Sequence, residues 1–394
     1  MSGLGRRDVC RLGATGALTM AGLGTGAVTG SAQTNTDGRV VFVYDDSWRE
    51  DWTDTFPVHR DEGVPACCAA VVDHVDTSWG LLPEHLRELD DAGWEIMAHT
   101  TSHVAVGNLY LTAPADAGDE RLSLDGSFLA EHEGEEIVIS DGDRTVENVV
   151  AGGGRNDDDG IYLDLAEPIG ESFDAETAYV RFTEDRIRDE VVGSKEALEE
   201  LGVEVDGFVS PFGRSDGLVE DVVRDHYAAF ANRGGDGLNP LDGLDPHALG
   251  RSSIDGNAVT EAEIEAFFDD VAANDALGIA VGHSQFDETT PERIRFAIRA
   301  AKARDLEIVT LREALVDLEE RTGDGDGPVV ESDESDEESS ATDEAESDAD
   351  DDRVASAIRE HQTPILAGTG AVATLSLAGA AAYRRLAGDD DDRL

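Results

Sequence analysis

Lysine is almost missing from this chain: Lys195 and Lys302 are the only two among 394 residues. Acidic residues outnumber basic ones 87 to 30, for a formal net charge of −57. The acid is spread through every segment rather than gathered in one tail. A field this negative repels nucleic acid and anionic lipid, which removes both from the candidate partners. Even spread and scarce lysine together fit adaptation to high salt, where screening removes the self-repulsion. On that reading the charge says where the protein works, not what it does. Cysteine is equally scarce, with Cys10, Cys67 and Cys68 the only three. Neighbouring cysteines on a strand point to opposite faces and make poor disulfide partners. No disulfide framework and no CxxC metal site is present, so these cysteines read as small core residues.

The two ends differ in kind from the middle. Residues 1–32 open with Arg6-Arg7 before a weakly apolar Gly/Ala stretch, and Gly30-Ser31-Ala32 offers small residues for cleavage. RRDVCRL there resembles a twin-arginine export signal. Residues 322–362 are dominated by Gly, Asp, Glu and Ser over most of their length, a composition that cannot bury enough apolar area to fold. Residues 363–383 then carry no charge, long enough to span a bilayer as a helix. Arg384 and Arg385 follow directly, so the positive-inside rule keeps the tail, 384–394, cytoplasmic and the body outside. The expectation is an exported protein anchored to the outer face of the cell membrane by this C-terminal helix.

Between these ends lies a folded body, 33–321. VVFVY, GVPACCAAVV and WEIMAH are short apolar runs with the character of buried strands. LLPEHLRELDDAG lies between two of them, with Pro83 near a helix start, Leu82, Leu86 and Leu89 on one face and Gly93 as a stop. Near the other end, TPERIRFAIRAAKARD has Thr290 as N-cap and Ile294 and Ile298 at helical spacing, followed by the strand LEIVTL. Strands alternating with helices indicate an α/β fold with a parallel sheet. From about 109 to 182 the pattern changes to short alternating runs punctuated by turn residues, which reads as a small β-rich insertion. Helix resumes in RIRDEVVGSKEALEELG, where Ser194 is the expected N-cap and Gly202 the stop.

Chemistry concentrates where apolar strands end. VVFVY runs into the carboxylates Asp45 and Asp46, and WEIMA runs into HTTSH. If the chain is helical there, His99 and His103, four residues apart, share one face and can share a metal. In a parallel sheet, ligands bind beyond the carboxyl ends of the strands, so Asp46, His99 and His103 can converge. Two imidazoles and a carboxylate leave open positions for water and substrate, as a catalytic divalent metal requires. Asp45 then stands where a general base would take a proton from water. His283, directly after the apolar run IAVG, stands at a third strand end as a candidate acid. A 2-His-1-carboxylate iron oxygenase usually carries HxD on a β-sandwich, which this α/β pattern disfavours.

These segments resemble the NodB-homology polysaccharide deacetylases, within the carbohydrate esterase group. VYDDS at 43–47 resembles the family's TFDDG, HTTSH its HSxxH, and FVSPFG at 208–213 its FRPPYG. GHS at 282–284 sits where the family has its leucine-histidine motif. The order is right, and the likeness covers about residues 38–318, interrupted by the β-rich insertion. It implies an irregular (β/α) barrel, often seven-stranded. It implies Asp45 as base, Asp46, His99 and His103 as metal ligands, His283 as acid, and the backbone N–H of Phe212 at the oxyanion. The metal implied is Zn2+, with Ni2+, Co2+ and Mn2+ compatible.

The chain departs from the family pattern in three respects. Ser47 replaces the glycine after the acidic pair. Val209 stands where many members have an arginine that orients the base, with Arg214 a candidate substitute. No clear Asp-Trp motif is present. ALGRSSID at 248–255 resembles the arginine-containing variant of that region, which makes Arg251 and Asp255 candidate partners of the base or acid. The activity implied is metal-dependent removal of N-acetyl groups from an extracellular or cell-surface polysaccharide. The alternatives are an O-acetyl esterase and a non-catalytic glycan-binding surface protein on the same scaffold.

Overall fold

The computed structural model describes residues 37–156, 160–232 and 237–316. The export signal expected at 1–32, the acidic segment 322–362, the membrane span expected at 363–383 and the tail 384–394 lie outside the described residues. Among those described, no helix is long and apolar enough to cross a membrane.

Among the described residues the central sheet has nine strands, and seven parallel ones make its ring: β1 (Arg39–Asp45), β2 (Cys67–Ala70), β3 (Glu95–Ala98), β4 (Val205–Phe208), β5 (Ala229–Phe230), β6 (Ser252–Ser253) and β7 (Leu277–Gly282), with Glu307–Ile308 of LEIVTL parallel to the start of β1 and Leu238–Asn239 antiparallel to β7. Their order around the sheet is β5-β4-β3-β2-β1-β7, with β6 on the far side of β7. A parallel bridge from Ala231 to Leu249 joins the two edges, so the segment containing β6 closes the ring. The result is an irregular barrel, because β5 and β6 contribute only two residues each.

Strand alternation sorts the side chains into two layers. Val41, Val43, Cys67, Ala69, Met97, Ala229, Leu277 and Ile279 pack together inside the barrel. Val40, Phe42, Tyr44, Cys68, Ala70, Ile96 and Ala98 face outward into a second core, under the helices. Cys67 and Cys68 therefore lie on opposite sides of the barrel wall, both free and buried. Full burial of Phe42 and Tyr44 contributes at most about 3 kcal/mol each by transfer arguments.

Six helices connect the strands: α1 (Phe56–Glu62), α2 (Pro83–Asp91), α3 (Glu184–Glu200), α4 (Gly217–His226), α5 (Glu261–Ala273) and α6 (Pro291–Lys302). α2 buries Leu86 and Leu89, and Leu82 serves as its N-cap residue rather than as part of its face. α6 starts where the sequence indicates, with the Thr290 hydroxyl accepting from the Arg293 N–H. The start of α3 differs from expectation. The helix begins ten residues before Ser194, capped by Thr183, whose side chain accepts from the Arg186 N–H. Gly193 lowers helix propensity by about 1 kcal/mol, but the buried stripe Ile187, Val191 and Leu198 carries the helix through it. Ser194 is buried mid-helix and donates back to the Val191 carbonyl.

Residues Leu109 to Phe182 form a separate six-stranded sheet. All its pairings are antiparallel, with Glu136–Ser140 between Tyr179–Phe182 and Thr145–Asn156. It leaves the barrel after β3 and returns at α3, so it stands beside the loops at the C-terminal ends of the strands.

Candidate active site

Alternation along the strands delivers the site residues. In β1 the inward positions are Val41 and Val43, and two further on is Asp45. In β3 the inward Met97 precedes His99 by the same step. Leu249 leads to Arg251, and Leu277 and Ile279 lead through Val281 to His283. In these four segments the apolar row inside the barrel is continued, at its mouth, by a polar residue.

Beyond Asp45 the chain turns sharply: Asp46 and Ser47 have φ of 80° and 51°. Two successive left-handed residues are costly for anything but glycine. Ser47 offsets part of that cost. Its hydroxyl accepts from the Val71 N–H at 3.2 Å and lies 3.4 Å from the Val71 carbonyl, tying the end of β1 to the end of β2. This accounts for a serine where the motif has glycine: the side chain is fully buried and hydrogen-bonded to a neighbouring strand.

HTTSH is not helical. Thr100 and His103 have φ of 64° and 56°, so a looped chain, not a helix face, brings the two histidines together. Their ring centroids are 5.2 Å apart. Asp46 Oδ1 lies 3.4 Å from His99 Nε2 and 2.9 Å from His103 Nε2. Ligand atoms of Asp46, His99 and His103 all fall within 4.8 Å of one another. His99 donates its Nδ1–H to the Val209 carbonyl at 2.8 Å, which leaves the Nε2 lone pair facing the centre. The set of two imidazoles and one carboxylate, so oriented, fits a divalent metal.

Asp45 faces the same centre from the other side. Arg251 Nη1 donates to both its oxygens, at 2.9 and 3.0 Å. Burial pushes the Asp45 carboxyl up, but the charges of Arg251, His99 and His283 outweigh it and hold the pKa below the usual value. Burial acts on Asp46 likewise, and His103 more than offsets it, holding Asp46 well below the ordinary range. His283 Nε2 is 3.9 Å from Asp45 Oδ2. Asp255 accepts the His283 Nδ1–H at 2.7 Å and its backbone N–H at 2.8 Å. Thr289 fixes that carboxylate with a 2.8 Å hydrogen bond. Burial pushes the His283 imidazole down, and Asp255, Asp46 and Asp45 more than reverse this, raising it to about 9.

The remaining expected residues divide. Phe212 sits in the turn Pro211–Gly213 with φ of 58°, its ring 4.8 Å from that of His103. Arg251 and Asp255 are both buried at the centre. Arg214 is not: its Nη1 donates to Asp125 Oδ2 at 2.8 Å, out in the β insertion. The guanidinium at the base comes from Arg251. Val209 contributes its carbonyl, to His99, in place of a side chain.

Three contributors were not evident from sequence reasoning. Gln285 Nε2 donates to Asp46 Oδ2 at 2.6 Å. His74 donates its Nδ1–H to the Asp46 carbonyl at 2.8 Å. Glu190, fully buried in α3, accepts from the N–H groups of Thr101 and Ser102 at 2.9 Å each. A glutamate inside the apolar stripe of a helix was the available signal for Glu190.

With this geometry in view, the comparison with known proteins is direct. Residues 32–120 match the family model described as Polysaccharide deacetylase. No curated protein sequence matches it. Among solved structures, it is similar to the Xyl-CE4 domain of a multidomain xylanase from the hindgut metagenome of Trinervitermes trinervoides. There the TM-score is 0.40 at 13% identity, covering 73% of this chain and 91% of that one. A family 4 acetyl xylan esterase from Clostridium thermocellum, in complex with cobalt, gives 0.39 at 14% identity, over 72% and 91%. A CE4 family pseudoenzyme from Bacillus anthracis gives 0.40 at 10%, over 71% and 65%. Likenesses this distant bear on neither activity nor substrate.

Proposed function

We propose that the protein removes acetyl groups from the amino sugars of an extracellular or cell-surface polysaccharide, as a metal-dependent hydrolase. The observation that carries this reading is the flanking of one three-ligand centre by two differently tuned groups. Asp45 is kept ionised by Arg251, and His283 is kept protonated by Asp255. Opposite tuning of neighbouring titratable groups is the mark of a base and an acid. A purely glycan-binding scaffold has no need of either dyad.

Asp46, His99 and His103 would hold the metal, zinc in the first instance. When bound, a divalent metal polarises the acetyl carbonyl and lowers the pKa of water. Asp45 takes a proton from water as the water oxygen bonds to the carbonyl carbon. The backbone N–H of Phe212 donates to the oxygen that gains negative charge. The C–N bond then breaks, His283 passes its proton to the departing nitrogen, and acetate and a free amine result. Asp255 holds the imidazole in the orientation that this transfer needs. The same groups serve an O-acetyl ester, with an alcohol as leaving group. In this reading, the export signal 1–32 and the apolar segment 363–383 keep the body on the outer face of the membrane.

The deciding measurement is acetate release from N-acetylglucosamine oligomers, with and without chelator, for wild type and Asp45→Asn. Both treatments are expected to abolish release, and zinc is expected to restore it after chelation. Release untouched by either would overturn the mechanism. Release from O-acetylated but not N-acetylated glycan would reassign the bond.

A further inference from the structure

The β insertion reaches the candidate site with fixed side chains. Phe128, in the turn after Arg121–Ser123, stacks on Phe212 with centroids 4.5 Å apart and planes at 26°. The guanidinium of Arg214 lies 5.5 Å over the same Phe128 ring and pairs with Asp125. Asp125 is held in turn by the Tyr110 N–H at 3.0 Å. Gly126 also lies against the ring: an added Cβ there would stand 2.8 Å from two Phe128 ring carbons. The ring therefore packs against Gly126, Arg214 and Phe212 at once. The chain also enters the insertion tightly: a Cβ on Gly107 would come within 2.5 Å of the Ser215 backbone nitrogen.

All these contacts converge on the turn 210–215, whose central residue, Phe212, holds a left-handed conformation at φ 58°. An aromatic residue does not keep that conformation unaided; the surroundings have to impose it. On the barrel side, Ser210 Oγ bonds to Asn232 at 2.6 Å, and Asn232 bonds to Ser215 Oγ at 2.6 Å. The Phe212 ring meets that of His103, and Phe128 and Asp125 of the insertion hold Phe212 and Arg214.

We propose that the β insertion is a clamp on the 210–215 turn, with Phe128 and Asp125 as positioning residues that hold the Phe212 backbone N–H in place. The inference rests on the oxyanion role given to Phe212 above. It assigns the insertion to the transition state rather than to substrate capture. A donor that acts on developing charge affects kcat, whereas a wall that holds the glycan affects KM.

The test uses the full-length, zinc-loaded chain and the variants Phe128→Ala, Phe128→Tyr and Asp125→Asn. Two readouts are taken: kcat and KM on N-acetylglucosamine oligomers, and amide hydrogen exchange across residues 207–216. Phe128→Ala is expected to lower kcat by about tenfold or more, short of the 10²–10³ of losing a donor outright, with KM within about threefold. Phe128→Tyr keeps the stacked ring and is expected to restore kcat. Exchange within 210–215 is expected to speed up in Phe128→Ala and Asp125→Asn, with β1 and β7 unchanged. A raised KM with unchanged kcat would overturn the clamp and make the insertion a substrate wall. Unchanged exchange in 210–215 would overturn it as well. If wild type releases no acetate, the functional reading fails, and exchange alone decides whether the insertion restrains the turn.

Discussion

Arg251 and Asp45 meet through one guanidinium nitrogen shared between both carboxylate oxygens, across 206 residues of sequence. Both side chains are almost fully buried. Removing one partner of such a pair leaves a desolvated charge, a loss of about 3–5 kcal/mol. Arg251→Met is therefore expected to destabilise the protein and to raise the Asp45 pKa, since a favourable positive charge is gone. The acidic limb of the pH profile of kcat/KM should move to higher pH, with kcat/KM at neutral pH reduced by about 10–100-fold. Arg251→Lys should rescue stability in part and the limb only partly, because an ammonium is not placed like the guanidinium. Urea melts and a pH series check both.

How much of this was legible in the sequence follows from the range of each interaction. Strand alternation is local, so VVFVY and IAVG placed Asp45 and His283 at strand ends, and Cys67 and Cys68 on opposite faces. Helix stops and starts that depend on local chemistry, such as Thr290, were also legible. The start of α3 was not, because packing of Ile187 and Val191 overrides the breaking tendency of Gly193. The conformation of HTTSH was missed for a similar reason. The loop between its left-handed residues is bound by Glu190, on a helix about 90 residues away. Arg214 and Arg251 were both candidates to meet Asp45. Only the closure of the barrel through Leu249 and β6 decides between them.

Asp255 carries the second dyad. Asp255→Asn keeps an oxygen that can accept the His283 Nδ1–H but removes the negative charge. The His283 pKa, now about 9, should fall, since the imidazolium loses its counter-charge. The alkaline limb of the kcat profile should shift down by at least about one unit, which corresponds to 1.36 kcal/mol. Activity at pH 6 should suffer less than activity at pH 8. A limb that stays in place would show that a group other than His283 titrates there. NMR titration of the His283 ring gives the same answer independently.

Glu95 sits at the opposite end of the barrel interior and tests the fold without touching the chemistry. It is buried, and it accepts from the Arg312 N–H at 2.7 Å. Burial raises its carboxyl to about 7, with the Arg312 N–H and charge only partly opposing this. A carboxyl with a raised folded pKa contributes stability that is complete below its unfolded pKa, near 4.5, and lost as pH climbs through about 7. Glu95→Gln removes the cost of burying the charge and keeps an acceptor for Arg312. The variant should gain up to about 3 kcal/mol at pH 8 and almost nothing at pH 4. Thermal melts at the two pH values decide it, and kcat should not change.

Glu190 holds the histidine loop by an arrangement that metal binding should report. Its carboxylate takes the Thr101 and Ser102 N–H groups and the Ser102 hydroxyl, and Arg186 Nη2 pairs with it at 2.8 Å. These bonds impose the turn that brings His103 back towards Asp46. Glu190→Ala leaves two backbone donors and a guanidinium without their acceptor. Outer partners of metal ligands are worth about 10–100-fold in affinity, and a zinc competition titration should show a loss of that size. Glu190→Gln retains one acceptor oxygen and should fall between. The two variants should order zinc affinity as wild type, Gln, Ala. Equal affinity in all three would mean that the His103 loop holds its shape without α3.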